Sequence, residues 1–346
     1  MRTGLILLLG SLLALRWGWA AQEPARTPAE AVADAARGVL ESLTPEQRAR
    51  TQYSLEAAER ADWHFTPRER PGLALLELDA EQRIAVGLLL RAAVGQQGYA
   101  EIGLIQGLDT VLREMAESRG QNADFRNPLL YDLAIFGEPS PNGRWAFRFE
   151  GHHVSVTVAM DGRGGFAFSP FFLGANPLRV PEGPSQGQRV LAAREDAARS
   201  LFQGLTDVQR KAAWVSEEAP KELLLPPGTA LHRLEPAGLC ARELDQNQRQ
   251  ALLKILGFVL GDLHPELGGN DLMEVSRAQI EDTYFAWMGG AELGAVHGFR
   301  IQSPRFVFEW TTAQGDSNHV HACWRDLERD LSLRWGLTQD AAAASR

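Results

Sequence analysis

Residues 146–158 read AFRFEGHHVSVTV, and we expect the fold to be organised around this segment. Apolar residues hold odd positions before Gly151 and even positions after it. Because side chains alternate between the two faces of a β-strand, such a change of phase requires one extra residue. We therefore predict a strand interrupted by a β-bulge at Gly151-His152. The polar face of this strand would carry Arg148, Glu150, His153, Ser155 and Thr157.

A second pair of histidines lies far downstream, in His319-Val320-His321. Two residues apart on a strand, both imidazoles project to one face, and such pairs commonly hold Zn, Fe, Cu or Mn. We expect the two stretches to meet and to bind a divalent metal ion. The predicted ligands are His152, His153, His319 and His321, with Glu150, Glu309 or Asp326 as candidates for a further position. The alternative is a set of buried histidines that are hydrogen-bonded to neighbouring arginines and carboxylates.

Two helix-start motifs recur in the same order in both halves of the chain. The pattern Leu-Thr-x-x-Gln-Arg occurs at residues 43–48 and 205–210, and Leu-Asp-x-x-Gln-Arg occurs at 78–83 and 244–249. In each motif a Thr or Asp is followed three residues later by Gln, which indicates a capping box at a helix N-terminus. The two motifs are 78 − 43 = 35 residues apart in the first half and 244 − 205 = 39 residues apart in the second.

The β segments extend this correspondence. Residues 146–150 align with 298–302, and residues 154–156 align with 306–308. Hairpin turns are predicted at Asp161-Gly162 and at Gln314-Gly315-Asp316. We therefore predict an α+β fold that is internally duplicated, with halves of helices plus an antiparallel hairpin packed about a pseudo-twofold axis. Residues 21–340 would form a single domain of two pseudo-repeats, about 29–172 and 185–335; similar patterning without duplication is the alternative.

The N-terminus has the pattern of an export signal. Arg2 precedes an apolar run from Gly4 to Leu15 and the small-residue site Gly18-Trp19-Ala20, which predicts a signal peptide over residues 1–20. The run is shorter than the about 20 apolar residues that a membrane span needs. We expect an exported protein, periplasmic or secreted, with no stable membrane insertion after cleavage. There, Cys240 and Cys323 form either one disulfide or two free thiols, and the sequence leaves both open.

Charge and missing motifs exclude several classes of function. The formal net charge is −9 and the chain has no basic cluster, which argues against nucleic-acid binding. The sequence has no His-Glu-x-x-His, no Gly-x-Ser-x-Gly, no phosphate-binding glycine loop and no Cys-x-x-Cys. Their absence disfavours metzincin-like proteases, α/β-hydrolases, nucleotide-dependent enzymes and zinc ribbons. The partner that we expect is a small-molecule substrate or ligand, and the sequence does not specify an oligomeric state.

Three residues are predicted to act in catalysis. Glu150 is the candidate general base. Arg325 would hold an anionic group of the substrate and Asp326 would orient a histidine; alternatively, the two form an ion pair that closes the strand into the next helix. Arg148 and Trp145 are the candidate substrate contacts, although Trp145 is more typical of a core aromatic.

Five segments of the chain carry a resemblance to a known family: Trp63–Pro67, Ile135–Pro139, Glu150–His153, Phe172–Pro177 and His319–Asp326. In these segments the chain resembles a largely bacterial family known as a domain of unknown function, DUF3500, and the resemblance covers most of the chain after the export signal. One departure is Thr157, where the family pattern leads us to expect asparagine. The resemblance implies one continuous domain centred on these histidines, and it carries over no activity.

The sequence thus predicts an exported metal-dependent enzyme that acts on a small substrate in a histidine-lined pocket. Hydrolysis is favoured because it needs no redox partner, and an oxygenase is the less favoured reaction if the metal is Fe or Cu. The alternative is a non-catalytic periplasmic protein that binds a metal or a small ligand. A structural protein with a polar core is the third interpretation.

Overall fold

The computed structural model describes residues 26–228, 231–232 and 234–332. The predicted signal peptide lies outside these residues, as does the end of the predicted domain beyond residue 332. The helices of the described part are α1 (Pro28–Ser42), α2 (Pro45–Thr51), α3 (Ala80–Ala93), α4 (Gln96–Ser118), α5 (Ala192–Gln203), α6 (Asp207–Ala213), α7 (Gln246–Leu260) and α8 (Gly269–Ala278). Among these helices, none is both long enough and apolar enough to cross a membrane.

The strands belong to one mixed sheet, so the predicted α+β class is confirmed. They are β1 (Gln52–Tyr53), β2 (Leu73–Ala74), β3 (Tyr131–Gly137), β4 (Arg144–Gly151), β5 (Val154–Asp161), β6 (Phe166–Ala167), β7 (Phe171–Ala175), β8 (Trp214–Ser216), β9 (Leu239–Cys240), β10 (Tyr284–Gly289), β11 (His297–Gln302), β12 (Phe306–Thr312) and β13 (Val320–Asp326). The sheet order is β1-β3-β4-β5-β7-β13-β12-β11-β10-β8, with β2 on β3, β6 on β5 and β9 on β10. Neighbours pair antiparallel except β1 with β3 and β8 with β10.

The four repeated helix starts are capping boxes, as predicted. Thr44 and Asp79 cap α2 and α3, and Thr206 and Asp245 cap α6 and α7. The glutamines of these boxes also bond to one another. Gln82 Nε2 donates to Gln47 Oε1 at 2.9 Å, and Gln248 Nε2 donates to Gln209 Oε1 at 2.9 Å. In each half of the chain, the glutamine of a capping box therefore completes the cap of its own helix and also forms a hydrogen bond with the glutamine of the other box.

The predicted β-bulge at Gly151-His152 is wrong. Gly151 pairs directly with Val154, so His152 and His153 form the two-residue turn of a tight hairpin between β4 and β5. His153 has a φ of 63°, in the left-handed region that residues other than glycine visit uncommonly. The apolar residues change from odd to even positions because the chain reverses direction at this two-residue turn. The predicted shared face is correct, since Arg148 pairs with Thr157 and Glu150 with Ser155.

The two other turns lie where the sequence placed them. β5 ends at Asp161 and pairs with β6, and Gln314-Gly315-Asp316 lies in the connection between β12 and β13. After the first of these turns the chain forms two short strands, β6 and β7. The two thiols are free, Cys323 being buried and Cys240 half-buried, which answers the question that the sequence left open.

The sheet is covered on both faces, and the two coverings differ in kind. One face packs with the helices into a large apolar core that includes Phe147, Val156, Leu252 and Trp324. The opposite face carries buried charged residues, among them Arg148, Glu150, Glu309 and Arg325. Loops cover this second face, with Trp63 and Phe65 from one loop and Leu223 from another packed against Phe172 and Cys323. The histidine stretches contribute to this loop-covered face.

Candidate metal centre

Strand pairing at the middle of the sheet brings three of the histidines together. β7 pairs with β5 on one side and with β13 on the other, and Gly174 of β7 is opposite His321. The Gly174 N–H donates to the His153 carbonyl at 2.8 Å, which holds the β4–β5 turn beside the start of β13. His153 Nε2 lies 2.8 Å from His319 Nε2 and 3.2 Å from His321 Nε2.

The position of His153 depends on the absence of a side chain at Gly174. A Cβ at Gly174 would lie 2.8 Å from His153 Cδ2 and 2.8 Å from the Val320 carbonyl oxygen. On its other side the His153 N–H donates to the Phe65 carbonyl at 2.9 Å. The backbone of the turn is therefore fixed from two directions, and the imidazole occupies the space above a glycine.

The three histidines His153, His319 and His321, called the triad from here on, are buried, and burial favours the neutral form of His153 and His319. His153, His319 and His321 expose 4%, 7% and 3% of their surface. Burial lowers the pKa of His153 well below its ordinary value, and the neighbouring imidazoles add to the effect. Burial and the nearby His321 lower the pKa of His319 to about 4. A neutral imidazole has a nitrogen lone pair that can bind a metal ion, whereas an imidazolium has none.

Glu222 forms a hydrogen bond with one histidine of the triad, on the side of the ring that faces away from the other two. His321 Nδ1 lies 2.7 Å from Glu222 Oε1, so a proton on Nδ1 leaves the Nε2 lone pair directed at the other imidazoles. Burial acts to raise the pKa of Glu222, but the hydrogen bond with His321 leaves it lowered. Carboxylates commonly orient metal-bound histidines in this way. Nothing in the sequence around Glu222 distinguished it, because its relation to His321 arises only from folding.

His152 is near the triad but has other partners. Its Nδ1 lies 2.6 Å from Asp109 Oδ1, and its Nε2 lies 2.8 Å from Arg126 Nη1. The Tyr131 hydroxyl is 2.9 Å from the second oxygen of Asp109. The His152 ring lies against His153, with 4.0 Å between their centroids. The structure therefore brings together three of the four predicted ligands and places His152 beside them, held by Asp109, another residue that the sequence did not indicate.

Two of the three distances within the triad suit a metal ion. With metal–nitrogen bonds of about 2.0–2.1 Å, two imidazole nitrogens on one ion lie about 2.9 Å apart in octahedral and about 3.3 Å apart in tetrahedral geometry. The observed separations of 2.8 Å and 3.2 Å fall in this range, and all three ligand atoms lie within 4.8 Å of one another. Neutral imidazole is a ligand that Zn, Fe, Cu and Mn accept. Without an ion, the 2.8 Å contact also fits a hydrogen bond between two neutral rings.

A family model described as "Protein of unknown function (DUF3500)" matches residues 25–332. The chain belongs to this family. The match contains the β4–β5 turn, Glu222 and the start of β13, so the whole triad of this DUF3500 chain lies within the family domain. Neither a curated protein nor a solved structure matches the chain.

Glu150, the candidate base, lies on the loop-covered face with partners of its own. Its Oε2 accepts from Ser155 Oγ and from the His64 N–H, both at 2.9 Å, and lies 3.1 Å from Arg148 Nε. Its Oε1 has no hydrogen-bond partner among the described residues. Burial raises the pKa of Glu150. Arg148 donates to the carbonyls of Arg60, Glu59 and Asp62, so it fastens that loop to the sheet.

The remaining predicted residues are likewise held by neighbours. Arg325 forms a two-pronged ion pair with Asp330, at 2.8 Å and 2.6 Å, rather than with Asp326. Asp326 pairs with Arg305 at 2.9 Å and accepts from the N–H groups of Glu328 and Arg329. Glu309 accepts from the Leu224 and Leu225 N–H groups. Trp145 lies in the helix-packed core and donates Nε1 to the Ser140 carbonyl.

A cleft of about 660 Å³ opens on the outer side of His152 in this DUF3500 domain. His152, Asp109 and Asp132 contribute to its wall. The ring of His152 lines this cleft and contacts the ring of His153, which is not part of the wall, with a tilt of 40° between them. This cleft therefore lies next to the cluster of histidines and is open to solvent.

Proposed function

We propose that this chain is an exported metal-dependent enzyme, hydrolase-like, that acts on a small molecule. His153, His319 and His321 would hold a divalent metal ion, and Glu222 would orient His321. The observation that carries the proposal is the convergence of three buried Nε2 atoms, 2.8 Å and 3.2 Å apart, from stretches that are distant in the sequence. Three protein ligands are the usual number at catalytic zinc sites, where the remaining position takes water or substrate.

The metal ion would act as a Lewis acid that makes bound water acidic enough to attack at neutral pH. Glu150 remains the base named from the sequence, and its unpartnered Oε1 is the atom that could accept a proton. Arg148, Arg325 and Asp326 would contribute by holding the loops over this face, since their side chains are engaged in ion pairs and carbonyl contacts. An Fe or Cu ion in the same triad would instead support an oxygenase reaction.

A non-catalytic metal-binding protein is the second candidate. The observation that favours it is burial, because each triad imidazole is less than a tenth exposed. A closed coordination shell would mean storage or structure, and an open one would mean catalysis. Substitution with cobalt separates the two, since added azide changes the visible spectrum of an open site and leaves that of a closed site unchanged.

The test of metal binding uses mature protein purified without a histidine tag. We expect about one metal ion per chain by elemental analysis, and loss of that ion in His153→Ala and in His319→Ala with the fold retained by circular dichroism. His232→Ala, which changes an exposed histidine, is the matched control. Full metal occupancy in either triad variant would exclude that residue as a ligand. Unfolding of both would favour the structural interpretation.

Export and internal duplication are also part of the proposal. The sheet order supports duplication. On one side of the β7–β13 pair the strands follow outward as β5, β4 and β3, and on the other side they follow outward as β12, β11 and β10. Each half thus contributes four strands in the same chain order. The two glutamine pairs between capping boxes support it as well. Superposition of residues 29–172 on 185–332 would test the pseudo-twofold axis. N-terminal sequencing of protein from the periplasm or medium would test cleavage before Ala21.

A further inference from the structure

The cleft beside His152 contains a buried arginine whose donors are only partly used. The Arg70 side chain is 4% exposed. Its Nη1 donates to the Arg68 carbonyl at 3.1 Å, and its Nη2 donates to the Thr66 carbonyl. Its Nε has no hydrogen-bond partner among the described residues. This Nε is hidden from solvent and lies 3.9 Å from Glu150 Oε1. Because a guanidinium has five N–H donors, Nη1 and Nη2 each keep one further N–H for a ligand in the cleft that Arg70 lines.

The carboxylates nearest to Arg70 are too distant for hydrogen bonds. Asp132 Oδ2 lies 3.9 Å from Nη1, and Glu150 Oε1 lies 3.9 Å from Nε. Asp132 lines the same cleft, and its side chain is 16% exposed. Burial raises the pKa of Asp132 to about 6. Arg70 and Asp132 thus form a pair of opposite charges that are held apart, and both are reached from the cleft.

The charges of the whole lining narrow the class of ligand. The wall contains three arginines, Arg50, Arg68 and Arg70, and four carboxylates, Glu69, Glu77, Asp109 and Asp132, so its formal charge is 3 − 4 = −1. A wall with a negative net charge gives no overall electrostatic attraction to a simple anion. A zwitterion, or an acid with a hydroxyl group, offers a carboxylate to the arginine and a donor to the aspartate.

We propose that this cleft binds a small carboxylic acid with an amino or hydroxyl group on the adjacent carbon, its carboxylate on Arg70 and its donor group on Asp132. Arginine recognises a carboxylate with two parallel N–H donors, and the partly buried aspartate accepts from the neighbouring ammonium or hydroxyl group. That such a molecule is the substrate of the metal centre rests on the proposed function. The binding of the acid in this cleft does not rest on the proposed function, because neither Arg70 nor Asp132 is a triad residue.

The experiment titrates metal-free, full-length mature protein by calorimetry with three probes of one carbon skeleton: L-alanine, L-lactate and propionate. Alanine or lactate should bind saturably and at least about tenfold more tightly than propionate, which lacks the second group. Arg70→Gln should abolish this binding. Arg68→Gln should retain it, because Arg68 lines the same cleft but is 37% exposed and paired with Asp62. Asp132→Asn should reduce the preference over propionate.

The proposal is overturned if neither alanine nor lactate binds saturably, or if Arg70→Gln binds them like the unchanged chain. If Arg70→Gln does not fold, Asp132→Asn decides, and an unchanged preference over propionate overturns the assignment. Metal content is measured on the same preparations with added zinc. A chain that binds alanine or lactate but no metal refutes the metal centre alone, and one that binds metal but neither acid refutes this site alone.

Discussion

The Nε2 atoms of His153 and His319 lie 2.8 Å apart although 166 residues separate them in the chain. His153 belongs to a two-residue turn, and His319 immediately precedes a central strand. Strand β7 lies between β5 and β13 and sets this distance through its pairing with both. Main-chain hydrogen bonds therefore position both residues, from Gly174 N–H to the His153 carbonyl and from Ala313 N–H to the His319 carbonyl.

Replacement of Glu222 by glutamine should weaken the metal centre without removing a ligand. The glutamine side chain would keep a hydrogen bond to His321 but lose the negative charge that makes the imidazole a better donor to a metal. We expect metal affinity to fall about 10- to 100-fold, measured by competition with a chromophoric chelator. Glu218→Gln, an exposed change in the same loop, is the control. Equal affinity in the two variants would mean that Glu222 does not act through His321.

Replacement of Gly174 by alanine should displace His153. The new Cβ would meet His153 Cδ2 and the Val320 carbonyl oxygen, each at 2.8 Å, so the turn or β13 must move. We expect a loss of about 1–3 kcal/mol in the free energy of unfolding, together with reduced metal content. Gly103→Ala is the matched control, because an alanine there has open space within α4 and should add about 0.5–1 kcal/mol of stability. Urea denaturation compares the two.

Removal of the Arg325 charge should destabilise the fold. Arg325 and Asp330 are both buried and form an ion pair, so Arg325→Ala leaves the Asp330 carboxylate without its counter-ion, with a hydrogen bond from Ser169 Oγ remaining. The expected loss in the free energy of unfolding is about 3–5 kcal/mol. The double variant Arg325→Met with Asp330→Leu should recover most of this loss. A folded Arg325→Ala chain of unchanged stability, impaired only in substrate binding, would instead support the anion-binding role that the sequence suggested.

Stability should fall as the pH rises through the titration of Glu101. Burial raises the pKa of Glu101 to about 7 in the folded chain, despite the ion pair with Arg194, from an ordinary value of 4.5. Between these values the folded state retains a proton that the unfolded state has released, so the stability is complete below 4.5 and is lost as the pH rises towards 7. The loss amounts to roughly 3 kcal/mol at most.

The Glu101→Gln variant tests this pH dependence of stability, because a glutamine side chain at the same position stays neutral at every pH. We expect its free energy of unfolding to change less between about pH 5 and about pH 7.5 than that of the unchanged chain. Glu117→Gln, on the exposed side of the same helix, should leave the pH dependence as it was. Parallel curves for all three chains would show that Glu101 is ionised throughout this range.

Local patterns in the sequence predicted the local structure well. Thr44, Asp79, Thr206 and Asp245 cap helices because each is followed by a glutamine at the reciprocal position, and this depends only on neighbours in the chain. The paired faces of residues 148 and 150 also follow from strand alternation. The bulge was predicted wrongly because a change of apolar phase is equally produced by a reversal of the chain, and His153 adopts a backbone conformation that its residue type does not announce.

The sequence by itself determined the fold class, the helix starts, the family and the two histidine stretches, since these are properties of adjacent residues. Tertiary structure alone decided that three imidazoles share a site while His152 bonds to Asp109, and that Glu222 lies behind His321. It also decided that Arg325 pairs with Asp330 rather than Asp326. The physical reason is that each of these contacts joins side chains whose separation is set by the register of the sheet and the course of its covering loops, neither of which local periodicity encodes.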